Sequence, residues 1–251
     1  MKISDEVMTV LGQAETVGKT LKLTGQLDRK LYLKVNDVLA AVGGKWNRGA
    51  KAHLFDIDAD EALDEILATG EVATGKEFGF FETPVGIAKH LINIADVRLD
   101  MNVLEPSAGL GAILLPLITM GAKVTAYEIQ EKNAEALKKI NGKTSLGCLD
   151  RLHVQDFLKA PPQRTFDRVV MNPPFGRRQD IHHVRHALSF LKPGGRLVSV
   201  MSAGVKFRED RLGRDFRQLV SDHAGSFEDC PEGSFKVSGT MVRTVIVDMN
   251  A

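Results

Sequence analysis

The residues Asn172-Pro173-Pro174-Phe175 follow the apolar run FDRVVM, and packing alone gives no reason for them. Two successive prolines fix two φ angles and remove two backbone donors, so the carbonyl oxygens of the turn are free to point outward. The Asn172 side-chain oxygen and the Pro173 carbonyl can then accept the two hydrogens of an exocyclic or amide NH2, while the Phe175 ring lies flat on the base that carries it. The alternative is a rigid loop of no catalytic meaning. Asn172 does not titrate usefully, so its part in such chemistry is orientation and stabilisation of charge developing on the nitrogen.

Two earlier turns add a binding place beside that hook. Glu105-Pro106-Ser107-Ala108-Gly109-Leu110-Gly111-Ala112 joins the run MNVL to the run AILLPLITM. Its glycines let a loop fold back tightly and let a ligand touch the main chain. Gly-x-Gly after a strand also opens dinucleotide sites and purely structural turns, but the dinucleotide fingerprint wants Gly or Ala where Leu114 stands, which disfavours a nicotinamide. Glu128 ends the run KVTAYE, 17 residues beyond Gly111, where a carboxylate either accepts both hydroxyls of a ribose or caps the next helix. Asp156 ends LHVQ and precedes Phe157, a pair suited to an adenine amino group and ring face; the alternative is an ordinary solvent-facing acid.

The elements that must hold these turns alternate. From Pro84 onward, GIAKHLINIA, GAILLPLITM, KNAEALKKING and IHHVRHALSFL read as helices, interleaved with the strands MNVLEP, KVTAYEI, LHVQDF, FDRVVM, RLVSVM and a terminal MVRTVIVDM. Strands separated by single helices mean right-handed crossovers and a mainly parallel sheet, with chemistry in the turns beyond the strands' carboxyl ends. Upstream, the Gly/Thr-rich stretch ATGEVATGKE at residues 68–77 reads as a linker, which divides the chain into a small N-terminal domain, 1–72, and a larger one, 73–251.

The composition is that of an ordinary globular protein: 251 residues, 43% hydrophobic and 26% charged, with a formal charge of +1. It excludes disorder and fibrous repeats, and a bulk polycation, so any nucleic-acid contact must come from local patches. Cys148 and Cys230 form neither a disulfide framework nor a metal knuckle, which fits a reducing, cytoplasmic compartment. The N-terminus lacks the basic start and apolar run of a secretory signal, and no apolar stretch approaches the roughly 20 residues of a membrane span.

The segments FETP, EPSAGLG, YE, QDF and NPPF, in that order, resemble the motifs of class I S-adenosylmethionine-dependent methyltransferases, in the branch that methylates amino groups at an Asn-Pro-Pro-Phe/Tyr turn. The likeness covers about residues 78–251, and the placing of Phe-x-Thr-Pro before the glycine loop is that of N6-adenine DNA methyltransferases. The resemblance implies an α/β fold with a doubly wound, mainly parallel seven-stranded sheet, Rossmann-like, carrying a small N-terminal appendage. It also implies S-adenosylmethionine as cofactor, with Thr83 and Pro84 near its methionine carboxylate, Glu105, Ser107, Ala108 and Gly109 around its amino-acid part, and Phe81 and Gly111 also among the cofactor-binding residues. Glu128 would take the ribose, Ile129 would pack on the adenine, and Asp156 with Phe157 would read the adenine edge. The target base would be held by Asn172, Pro173, Pro174 and Phe175, with no metal required. A duplex base must leave its stack to reach such a pocket.

Two basic stretches are candidates for holding the nucleic acid. Residues 19–53 carry a net charge of +6, and within them Lys45, Trp46, Arg48 and Lys51 combine cations with the only tryptophan, on a hairpin or loop. A Trp46 that plugs the domain junction is the competing reading. After the catalytic turn, Arg177, Arg178, Lys206 and Arg208 belong to a stretch rich in arginine, which reads either as a phosphate clamp or as a self-balanced charged helix face. His182, His183 and His186 read as solvated or phosphate-facing rather than metal-binding. The N-terminal sequence is similar to the leader of phage and prophage DNA methyltransferases, which makes DNA the expected partner, with RNA as the alternative substrate and a protein glutamine amide as a more distant one.

Overall fold

The computed structural model describes residues 3–70, 81–139, 148–238 and 243–251. The linker expected at 68–77, with the domain boundary inside it, therefore lies largely outside the described residues, as do the Asn-Gly end of KNAEALKKING and part of the Gly/Ser-rich segment before the last strand.

The N-terminal unit runs α1 (Asp5–Gly12), β1 (Glu15–Val17), β2 (Thr20–Lys22), α2 (Arg29–Ala41), β3 (Lys45–Asn47), β4 (Ala52–Leu54) and α3 (Ala59–Thr69). Its four strands form an antiparallel sheet in the order β1-β2-β4-β3. Aspartates start two of the helices by accepting otherwise unpaired first-turn N–H groups: Asp28 accepts from Lys30 and Leu31, and Asp58 from Asp60. Leu11, Leu21, Leu39, Leu63 and Ile66 fill the core of this unit.

The second unit continues with α4 (Val85–Ile94), β5 (Asn102–Glu105), α5 (Leu114–Thr119), β6 (Lys123–Glu128), α6 (Glu131–Lys138), β7 (Cys148–Val154), β8 (Phe166–Met171), α7 (Gln179–Leu188), β9 (Leu191–Ser202), α8 (Arg211–Asp222), β10 (Ser226–Asp229) and β11 (Thr244–Asn250). The sheet order is β10-β11-β9-β8-β5-β6-β7. The strands are parallel except β11, which enters between β9 and β10 and runs against both. This is the expected mainly parallel seven-stranded α/β sheet. Six of the strands follow the apolar runs. The seventh, β10, is a four-residue edge strand of sequence SFED whose only hydrophobic side chain, Phe227, is half-buried, so it carries almost no apolar signal.

From β5 the chain turns to β6 on one side and later to β8 on the other. That reversal opens a crevice at the strands' carboxyl ends, where Glu105, Glu128 and Asn172 emerge. Helices cover both faces, so β6 is buried along all but its first residue and reads as a continuous apolar run.

The two units are joined by more than the linker. Phe207, in the turn after β9, packs into the N-terminal core, and Glu209 N donates to Gly12 O at 2.9 Å. A Cβ at Gly12 would lie 2.6 Å from the Phe207 ring, so any larger residue there must displace that ring.

Candidate active site

The glycine loop is built around Glu128. Gly109 and Gly111 take φ of +54° and +89°, a region open chiefly to glycine. The turn so formed points Gly109 N at Glu128 Oε2, 2.7 Å away, while Ala108 N donates to Tyr127 O at 2.9 Å. Glu128 Oε1 accepts from Gln130 N at 2.7 Å and Asn133 Nδ2 at 3.4 Å. One carboxylate thus pins two loops and still has lone pairs to offer. The spacing from Gly111 points only to a ligand or a cap, and the bond to Gly109 is an added duty.

Glu128 lies in the wall of a cavity of about 420 Å³. Ile129, half-exposed or more, stands at its rim, and Asp156, Phe157, Asn172, Pro173, Pro174 and Phe175 also line it. A small side space continues from it past Phe81, Ser107 and Asn172, bounded by Thr83, Glu105, Ala108 and Gly109. The expected site residues therefore converge, with two exceptions. Pro84 caps α4, and Gly111 closes the loop through its N–H to Ala108 O at 2.8 Å; neither lines either space.

Asn172 is held in one orientation. Its Nδ2 donates to the Phe81 carbonyl at 3.1 Å and to Thr83 Oγ1 at 3.0 Å. A carbonyl can only accept, so the amide nitrogen must face it. Asn172 Oδ1 is left buried with no hydrogen-bond partner. Glu105 is 1% exposed, and its Oε2 is likewise buried and unpartnered. Burial, and after it the Glu128 charge, holds its carboxyl well above the usual carboxylate range. Native proteins leave few such atoms unsatisfied, and both of these belong to residues that line the crevice.

The Phe175 ring is 5% exposed, stacked at 6.5 Å on Phe81 and edge-on to Phe235 at 6.5 Å. It lines the cavity as a packed wall rather than a free platform. Asp156 Oδ1 caps the turn below through Leu158 N at 3.0 Å, and Phe157 is 2% exposed.

Tyr127, Gln130, Gln155, Gln179 and His183 also line the cavity; nothing in the sequence assigns them a site role, and His183 reads there as solvated or phosphate-facing. His183 is buried, with Nδ1 on Gln179 O at 2.8 Å and its pKa lowered by burial. His186 binds Ala160 O at 3.0 Å and packs edge-on against Phe157. Of the three histidines only His182 is exposed, because the helix face carrying the other two is covered by Phe157. Among the described residues no cluster could hold a metal ion, and no helix is long and apolar enough to cross a membrane.

The basic patches divide. Lys45, Trp46, Arg48 and Lys51 are exposed on the β3–β4 hairpin, with Trp46 50% exposed and edge-on to His53, so it does not plug the junction. Arg178 and Arg208, expected to face nucleic acid, are instead 9% and 3% exposed. Arg178 pairs with Asp210 at 2.8 Å, and Arg208 with Asp64, with Asp60 at 2.6 Å and with Asp210 at 2.9 Å. The charge count of the local sequence could not register Asp60 and Asp64, counterions nearly 150 residues away. Lys206 is neutralised by Asp229 at 2.7 Å, and the Arg177 side chain lies outside the described residues.

Curated relatives match part of the chain. It is 32% identical over 124 residues to the Bifidobacterium adolescentis ribosomal RNA small subunit methyltransferase A, covering 48% of this chain and 40% of that protein. It is 33% identical over 133 residues to the Thermus thermophilus tRNA (guanine(6)-N2)-methyltransferase, covering 46% and 38%, and 27% identical over 173 residues to the type II methyltransferase M.XhoI of Xanthomonas vasicola, covering 48% and 31%. The chain thus spans well under half the length of these relatives. In fold it is similar to a dimethyladenosine transferase from Plasmodium falciparum, with a TM-score of 0.53 and 19% identity over 68% of this chain and 63% of that one.

S-adenosylmethionine fits the residues present: a carboxylate for the ribose, a glycine loop that a ligand can approach, and a buried acid at the far end for a charged amino group. Residues 87–225, more than half of the chain, match the methyltransferase small domain family, and the chain belongs to it, within the class I S-adenosylmethionine-dependent methyltransferases.

Proposed function

We propose that this protein transfers a methyl group from S-adenosylmethionine to the N6 amino group of adenine in DNA, with the base turned out of the duplex and held at Asn172 and Pro173. The observation that carries the reading is the orientation of Asn172: its nitrogen is occupied by Phe81 and Thr83, and its buried oxygen has no partner. An amine is the complement of that oxygen.

When bound, S-adenosylmethionine supplies an electrophilic methyl group on a sulfonium. The protein's own part is to make the amine a better nucleophile. The lone pair of an adenine amino group is delocalised into the ring. Two acceptors, Asn172 Oδ1 and Pro173 O, draw its two hydrogens out of the ring plane and turn the lone pair outward. They also stabilise the positive charge that grows on nitrogen. Phe175, fixed between Phe81 and Phe235, limits where the base can sit, and positioning of this kind supplies much of the acceleration. The exposed cations and Trp46 of the β3–β4 hairpin would take the nucleic-acid strand.

RNA is the second reading, because two of the matched relatives are named as rRNA and tRNA methyltransferases. The test offers radiolabelled methyl donor with duplex DNA, total RNA and cell protein. Nuclease-sensitive label in DNA supports the proposal. Label in RNA alone refutes the choice of DNA, and label released only by protease moves the acceptor to a protein amide.

A further inference from the structure

The catalytic turn runs directly into a buried bed of charge to which both units of the protein contribute. Gly176–Arg178 form a single 3-10 turn after Phe175, and Arg178 sits at φ +58°, strained for a side chain of its size. Its guanidinium donates to Asp210 at 2.8 Å. Asp210, the N-cap of α8, shares its Oδ2 with Arg208 Nε. Arg208 in turn reaches Asp64 and Asp60 on α3 of the N-terminal unit, and Asp60 is itself fixed by Thr16 of β1 at 2.8 Å. Asp180, 1% exposed, closes the other side by accepting from Ile181 N and Ser202 N at 2.9 and 3.1 Å. Phe175 meets this bed: a space of about 10 Å³ is lined by Phe175 together with Asp64, Arg178, Asp180 and Arg208.

Four carboxylates and two guanidinia are a poor glue. Apolar side chains would join two units at lower desolvation cost. What a buried ionic network offers is one discrete geometry, and here its receiving end is the strained residue that terminates the hook.

We propose that the N-terminal unit is a working part of the transfer site, with Asp64 and Arg208 acting as positioning residues that lock Arg178 and so fix the Asn172-Pro173-Pro174-Phe175 turn. The proposal rests on the reading of that turn as the place of methyl transfer. It assigns the N-terminal unit a role in the reaction step itself, separate from any grip of its hairpin on the strand.

The full chain carrying Asp64→Asn, which keeps the shape and removes the charge, is compared with the parent by amide hydrogen exchange and by transfer kinetics. Exchange over residues 175–181 should quicken by about tenfold or more while β5 and β6 stay unchanged. The transfer rate should fall by about tenfold or more, with KM for nucleic acid and affinity for S-adenosylmethionine held within about twofold. Asp60→Asn removes the charge of the most exposed of the three partners of Arg208 and should give a weaker effect in the same direction, which guards against a misfolded first variant. Unchanged exchange in the turn, a uniform rise over the whole chain, or a rise in KM with the rate intact would each overturn the proposal. A parent protein that methylates nothing would refute the assigned reaction instead, and the exchange comparison would still decide this point.

Discussion

Thr83 and Asn172, 89 residues apart in the chain, meet through a 3.0 Å hydrogen bond from Asn172 Nδ2 to Thr83 Oγ1. The bond joins the segment ahead of α4 to the turn after β8 and adds a second anchor to the Asn172 nitrogen, whose orientation is set by the Phe81 carbonyl. Thr83, expected beside the cofactor, is therefore also a positioning residue for the acceptor atom. Thr83→Val removes one of two anchors on the amide nitrogen. The transfer rate should fall about 3- to 10-fold, the worth of one neutral hydrogen bond, while Thr83→Ser keeps it. Single-turnover kinetics with saturating methyl donor check this.

Glu128 holds Gly109 and Gln130 and lines the cavity, where we propose that it takes the ribose of the cofactor. Glu128→Ala removes the acceptor for both backbone donors and leaves no charged partner for a ribose. Affinity for S-adenosylhomocysteine, measured by calorimetry, should weaken by about 1.5–3 kcal/mol, as for hydrogen bonds to a charged group. An unchanged affinity would remove Glu128 from the cofactor site.

The two groups of cations should behave oppositely. Arg48→Ala and Lys51→Ala, on the exposed hairpin, should each lower the salt dependence of nucleic-acid binding by about one counterion while leaving stability within about 0.5 kcal/mol. Arg208→Met should leave that salt slope alone and cost on the order of 3–5 kcal/mol of stability, because Asp64 and Asp210 lose their buried partner. Denaturant melts and filter binding at several salt concentrations separate the two.

Stability should depend on pH through the buried bed. Burial pushes Asp64 up to about 6 and Asp180 up to about 7, against the partial relief given to Asp64 by Arg208 and to Asp180 by the Ser202 N–H. At these two groups the folded protein therefore binds more protons than the unfolded chain between about pH 4 and 7, and the stabilisation they give at low pH is lost as pH rises through those values, while His183, with its pKa lowered by burial, acts in the opposite sense. Asp210, held at about 2 by Arg178 and Arg208 despite its burial, acts in the opposite sense and loses its contribution only as pH falls toward 2. Through these two groups the melting temperature should drop between about pH 4 and 7, and Asp64→Asn should flatten that drop.

The fold and the cavity were legible because their signals are local. Apolar runs of strand length alternate with helices; Glu128 ends a strand and Gly109, Asp156 and Asn172 each follow one, where a parallel sheet collects its ligand groups. What was not legible depends on distant partners. Arg208 looks like a surface cation until Asp60 and Asp64 arrive from the other unit. His183 and His186 look solvated until Phe157 covers them. β10 has too few apolar residues to announce itself, since an edge strand needs only one buried face.

Nucleoside mass spectrometry of acceptor incubated with deuteromethyl-labelled S-adenosylmethionine bears most directly on the Asn172 hook. With wild-type protein the label should appear as N6-methyladenine, and with Asn172→Ala it should vanish while cofactor affinity stays within about twofold. Label on a ring carbon, a ring nitrogen or a ribose oxygen, or undiminished N6-methyladenine from Asn172→Ala, would contradict the account.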